Sequence, residues 1–167
     1  MAADKYIALT SGVLTGTSAV QVGGAGNAGK IVALADTTGL IDASMFPDGA
    51  TATVIVNVGT TTIANGDFVY LTAAGVAELA KADAVGTIAQ GFCLVGGTSG
   101  NPVTVYLQGE NTAKSGLTIG AEYYLDAGTA GAITATPPAT PTNVVQPVGY
   151  AISATRLHMN RQRISIV

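Results

Sequence analysis

The chain is short of charge, of aromatic rings and of the residue types that usually build an active site. Only 10% of its 167 residues are charged, against about 25% in an ordinary soluble domain. A free monomer relies on surface charge to stay in solution. A chain this poor in it, with a mean hydropathy of +0.44, is expected to cover much of its surface with other subunits. Aromatics are 5% with no Trp, so large core anchors are few. The single cysteine, Cys93, excludes an internal disulfide and a cysteine-based zinc site. The single histidine, His158, removes a His-rich metal site and argues against a Ser–His–Asp arrangement. Seven basic against ten acidic residues give a net charge of −3, without the basic face of a nucleic-acid binder. No apolar run approaches the roughly 18 residues of a membrane span. The segment Met1-Ala2-Ala3-Asp4-Lys5 lacks the basic start and apolar core of a signal peptide. Synthesis and folding inside a cell, without secretion and with no membrane and no nucleic-acid partner, is the expectation.

What the chain does have is glycine, valine, alanine and threonine in alternating patterns. From Thr51 the period is two: Ala52, Val54, Val56 and Val58 fall on one face and Thr53 and Asn57 on the other, with Ile55 out of step. Asp67–Leu71 and Val76–Ala80 are predicted strands joined by the hairpin-length Thr72-Ala73-Ala74-Gly75. Gly86–Val95 and Pro102–Gln108 flank a turn cluster. Ala121–Leu125, Ala132–Thr136, Val148–Ala154 and Gln162–Val167 repeat the scheme. No segment carries a capped helical stripe, so the fold class is all-β.

The repetition is visible in particular residues. Gly66 and Tyr70 recur 54 positions later as Gly120 and Tyr124, and Gly91 recurs 58 later as Gly149. Val103-Thr104-Val105 aligns with Ile164-Ser165-Ile166 at a spacing of 61. A spacing that grows stepwise means insertions in loops between strands, as in an internal duplication. The expected organisation is two related small β-barrel or sandwich units, at 51–110 and 111–167. An extended N-terminal arm at 1–50 precedes them, with a short hairpin predicted over Lys30–Leu34 and Leu40–Asp42. Little in 1–50 forms a core alone, which fits an arm that orders on a partner.

The remaining motifs read as structural. Gly24-Ala25-Gly26-Asn27-Ala28-Gly29-Lys30 matches phosphate-loop patterns by letter, but Ile31 stands where a hydroxyl would hold magnesium. No helix of useful length can follow before the turn at Gly39. Cys93 lies in the apolar run Phe92-Cys93-Leu94-Val95 with no basic neighbour in sequence, as a buried thiol does. The acids are dispersed, with Asp67 and Asp126 at turns where carboxylates bond backbone amides. Of Tyr123 and Tyr124, one is expected inside and one outside, because neighbours on a strand face opposite ways. Arg156, Arg161 and Arg163 gather near His158, as a solvated strand edge or an ion-pairing patch for an acidic neighbour. No catalytic set, cofactor site or metal site emerges, and a non-enzymatic role is expected.

The segments Gly29–Leu34 and Gly39–Pro47 resemble the N-terminal part of tailed-bacteriophage structural proteins. Gly66–Leu71, then Gly75, Gly91 and Val103–Val105, are similar to the small β modules of phage head-decoration, or capsid cement, proteins, and Ile164–Val167 resembles the end of one such protein. The resemblance implies a β-rich virion protein on the outer capsid surface, commonly a homotrimer, whose partner is the major capsid protein. Tyr6, Ile7, Leu9, Lys30, Arg161 and Arg163 are the expected capsid contacts. Two β units in one chain depart from a minimal decoration protein. The alternatives are a head- or tail-fibre base, from which a longer shaft would be expected, and a carbohydrate-binding adhesin using Tyr106, Tyr124 or Tyr150.

Overall fold

The computed structural model describes residues 52–160 and 164–167, together with the backbone of two strands, β1 (Lys5–Thr10) and β2 (Val13–Ser18). The chain divides into two compact units, Met1–Thr51 and Ala52–Val167. In the first unit β1 and β2 form an antiparallel hairpin in which Tyr6, Ile7 and Leu9 stand opposite Thr17, Gly16 and Leu14. β1 carries Tyr6, Ile7 and Leu9, three of the expected capsid contacts. The hairpin predicted over 30–42 lies outside the described residues.

The second unit is all-β and contains two five-stranded antiparallel sheets. The first is built from β3 (Thr53–Asn57), β4 (Phe68–Leu71), β5 (Ala77–Leu79), β6 (Gly91–Cys93) and β7 (Pro102–Tyr106), in the order β3-β7-β6-β4-β5. β4 and β5 are joined by the anticipated tight turn, closed by the Gly75 amide on the Thr72 carbonyl at 2.9 Å, with Gly75 at φ +74. A 3-10 turn at Val85–Thr87 replaces the start of the strand expected over Gly86–Val95. One parallel bridge, Val58 to Ala77, brings the ends of the two edge strands together, so the sheet curls without closing into a barrel.

The second sheet is built from β8 (Gly109–Asn111), β9 (Glu122–Leu125), β10 (Ile133–Thr134), β12 (Pro147–Ser153) and β13 (Arg156–Met159), in the order β8-β13-β12-β9-β10. Strand for strand this is the order of the first. The registers agree as well. Val69 faces Gly91 as Tyr123 faces Gly149, and Tyr70 faces Glu78 as Tyr124 faces Thr134. Phe92 faces Tyr106 as Tyr150 faces His158, and Tyr106 faces Thr53 as His158 faces Glu110. Even the entry turns match. Gly66 and Gly120 take φ +82 and +79, and their amides bond the carbonyls of Cys93 and Ala151 at 2.7 and 2.8 Å. The second unit is an internal structural repeat.

One equivalence needs correction. The counterpart of β7 is β13, not Ile164–Ile166, because β13 returns from β12 through the short Ala154-Thr155 turn while the β6–β7 connection is longer. The last strand, β14 (Ser165–Ile166), pairs instead with β11 (Val144–Val145) in a separate two-stranded sheet.

The two repeats stack in the same sense. Tyr123, Ala151 and Leu157 of the second sheet share one core with Phe68 and Phe92 of the first. Their equivalents in the first repeat, Val69, Cys93 and Val105, point the other way, into a second core with Val58 and Ile63. The inner face of both sheets is therefore buried. The outer face is buried only in the first, where the second sheet covers much of it.

Candidate functional site

Equivalent positions with different surroundings show where the two outer faces diverge. Across the first sheet runs the row Phe68–Phe92–Tyr106–Thr53. Phe68 and Phe92 are fully buried, the Phe92 ring stacks on Tyr106 at 5.5 Å, and Phe68 tilts against Phe92 at 6.0 Å. The same row on the second sheet reads Glu122–Tyr150–His158–Glu110 and faces solvent. Tyr150 is 43% exposed and its ring lies 5.4 Å from the His158 ring. The Tyr124 hydroxyl donates to Glu122 at 2.6 Å, and Arg156 is ion-paired with Glu110. The Glu122 hydrogen bond, then burial, then its charge push the Tyr124 phenol above its ordinary value. A polar outer face on the last repeat is how a stacked repeat protein ends its stack.

The outer face of the first sheet is not covered completely. At its β3 edge Ile55 is 72% exposed opposite Thr104, and Val95 in the β6–β7 loop is 73% exposed. Beside them lies a groove of about 200 Å3 lined by Val95, Gly96, Pro102, Val103, Thr104 and Tyr106. None of these carries charge. The out-of-step Ile55 of the sequence is thus an outward-facing apolar residue.

Polar groups inside the body join the repeats. The buried Gln146 side chain accepts from the Ala89 amide at 2.8 Å and donates to its carbonyl at 2.7 Å. Asn111, also buried, donates to the Gly66 carbonyl at 2.9 Å. Asp67 accepts from the Ala64 amide and Asp126 from the Gly128 amide, as their turn positions predicted. Burial raises the Asp67 carboxyl, and burial lowers the Lys114 ammonium, which sits 5.4 Å from the Phe68 ring centroid. Burial, with Asp67 nearby, pushes the Cys93 thiol up to about 11, so at neutral pH it is a protonated core residue. Tyr123 is inside, its hydroxyl accepting from the Thr118 amide, and Tyr124 outside.

Glu78 fastens the curl of the first sheet. Its carboxylate accepts from the Thr60 amide and hydroxyl at 2.6 and 2.9 Å and from the Thr61 hydroxyl at 3.0 Å. Burial alone would raise this carboxyl; the bonds from Thr60 and Thr61 together hold it below its ordinary value. A depressed folded pKa gives stability that is present above the unfolded value of about 4.3 and lost as pH falls through the folded one. Glu78→Gln is expected to cost about 1 kcal/mol at pH 7. Urea melts should show the deficit shrinking below about pH 4.

Of the expected contact residues, Tyr6, Ile7 and Leu9 lie together on β1; Lys30, Arg161 and Arg163 lie outside the described residues. Arg156 is engaged within the chain by Glu110. Tyr124 and Tyr150 share the solvent face of the second sheet, but Tyr106 belongs to the first. Among the described residues no three His, Cys, Asp or Glu side chains gather as metal ligands. Sequence reasoning missed the groove; the break at Ile55 signalled only an outward-facing apolar residue on the neighbouring strand. No protein family matches this chain, and no curated protein is similar to it in sequence.

Proposed function

We propose that this chain is a non-enzymatic virion protein that decorates the outer surface of a tailed-phage head and stabilises the shell. The observation that carries the reading is the division into an N-terminal unit of residues 1–51, with its β1–β2 hairpin, and a separate duplicated β body. An arm offering strand edges can add to a neighbour's sheet, while the body remains outside. The low charge of 10% and the exposed apolar side chains Ile55 and Val95 support a protein that works in an assembly. The partners are the major capsid protein and other copies of this chain, a trimer being the favoured oligomer. Several arms then act together, and avidity multiplies weak single contacts. A fibre-base role shares these features. The adhesin reading is weaker, because Tyr106 does not join Tyr124 and Tyr150 in one platform.

The test removes residues 1–50 and measures attachment to expanded, undecorated shells by co-sedimentation. The truncated protein should keep its β-sheet circular dichroism and lose attachment. Attachment at full stoichiometry without the arm would overturn the reading.

A further inference from the structure

The two repeats are complete at β13, and β14 is appended to them. Ile164, Ser165, Ile166 and Val167 are all exposed, Ile166 by 64%, and none of the three apolar ones joins either core. What holds the strand is main chain. Val144 and Val145 stand opposite Ile166 and Ser165. The Val167 amide donates to the Asn143 carbonyl at 3.1 Å, and the Thr142 amide donates to the Val167 carbonyl at 3.2 Å. Among the described residues no side-chain hydrogen bond or ion pair reaches the strand.

The receiving edge, by contrast, belongs to the body. Val144 is fully buried, and its amide donates to the Ala82 carbonyl at 2.8 Å. Gln146, just beyond β11, bonds both the amide and the carbonyl of Ala89. Thr142 is the one non-glycine residue at positive φ among the described residues, at +76, a conformation unfavourable for a β-branched side chain. It is held there with its amide turned to the Val167 carbonyl. The body thus carries a pre-set edge, and the structure shows what that edge takes: the segment Ile164–Val167.

Main-chain bonds are blind to which copy supplies the strand. The same bonds form when the segment comes from a neighbouring copy, so an exchange loses no contact and adds a link between chains. Within one chain the strand leaves three apolar side chains in water; between two bodies they have a second surface to meet.

We propose that β14 is exchanged between copies, Ile164–Val167 of one chain pairing with β11 of the next. This rests on the reading of the protein as a subunit of an assembly. Each copy gives one strand and receives one, so the exchange closes into a ring when the rotation permits. The chain from Met159 to Ile164 can reach at most about 18 Å, so only bodies in direct contact can exchange.

Val145→Cys and Ser165→Cys, introduced together in the full chain, test it, because the two positions face each other across the ladder. The native Cys93 thiol is fully buried and pushed up to about 11, so it stays out of the reaction at neutral pH. A short bismaleimide joins the introduced pair, and denaturing electrophoresis reads the products. Exchange predicts covalent species of several chains, up to the number that light scattering gives for the parent. Crosslinking confined to single chains, in a parent that scatters as a multimer, would overturn the exchange and leave an assembling protein. A parent of one-chain mass at every concentration would overturn both. Removing residues 164–167 is a second check that adds no side chain. The thermal melt should stay near that of the parent, since no core residue is lost, and the mass should fall to one chain. A shortened protein that assembles like the parent would overturn the exchange.

Discussion

Phe92→Ala should lower the unfolding free energy by about 3–5 kcal/mol, while Tyr150→Ala, the same position in the second repeat, should cost only about 0.5 kcal/mol. Phe92 is fully buried between the sheets, stacked on Tyr106 and tilted against Phe68. Truncation removes the ring and leaves a cavity whose walls belong to two sheets. Tyr150 faces solvent with 43% of its surface exposed, so water fills the space its ring leaves. Urea titration followed by circular dichroism measures both. Equal costs would mean that the two outer faces are covered alike, which contradicts stacking in one sense.

Gly149→Ala and Gly91→Ala should each be destabilising, by about 1–3 kcal/mol for a forced backbone shift, with Gly149 the more severe. A Cβ at Gly149 would overlap the His158 carbonyl oxygen, and one at Gly91 would come within 2.5 Å of the Tyr106 carbonyl oxygen. His158 and Tyr106 are themselves equivalent, so the duplication preserved one close strand approach twice. Gly149 also has φ +152, where a side chain adds strain. Gly86 is the control: its Cβ would meet nothing within 4 Å, and Gly86→Ala should stay within about 0.5 kcal/mol of the parent. The same urea melts report all three. A neutral Gly149→Ala would show that β12 and β13 do not approach this closely.

The duplication was legible because glycines and tyrosines mark backbone requirements that side-chain divergence leaves alone. Gly66 and Gly120 hold the same turn, and Gly91 and Gly149 the same close approach. β13 was not legible. Arg156, Leu157, His158 and Met159 alternate in period two, but their charge is unlike Val103–Val105, which Ile164–Ile166 matches in residue type. β8 and β11 are three and two residues long, too short for a period to register. The face that each sheet buries twice or once depends on how the repeats stack, and no local pattern carries that. Phe68 and Glu122 occupy one position in two copies. Only the structure explains why one is aromatic and the other acidic.

The most direct measurement of the central claim is the melting temperature of expanded, undecorated heads with and without saturating amounts of the protein. A ligand that binds only the assembled shell stabilises it by mass action. The account predicts binding at a fixed number of copies per shell and a higher melting temperature. Heads that melt unchanged, with the protein left in the supernatant, would contradict it.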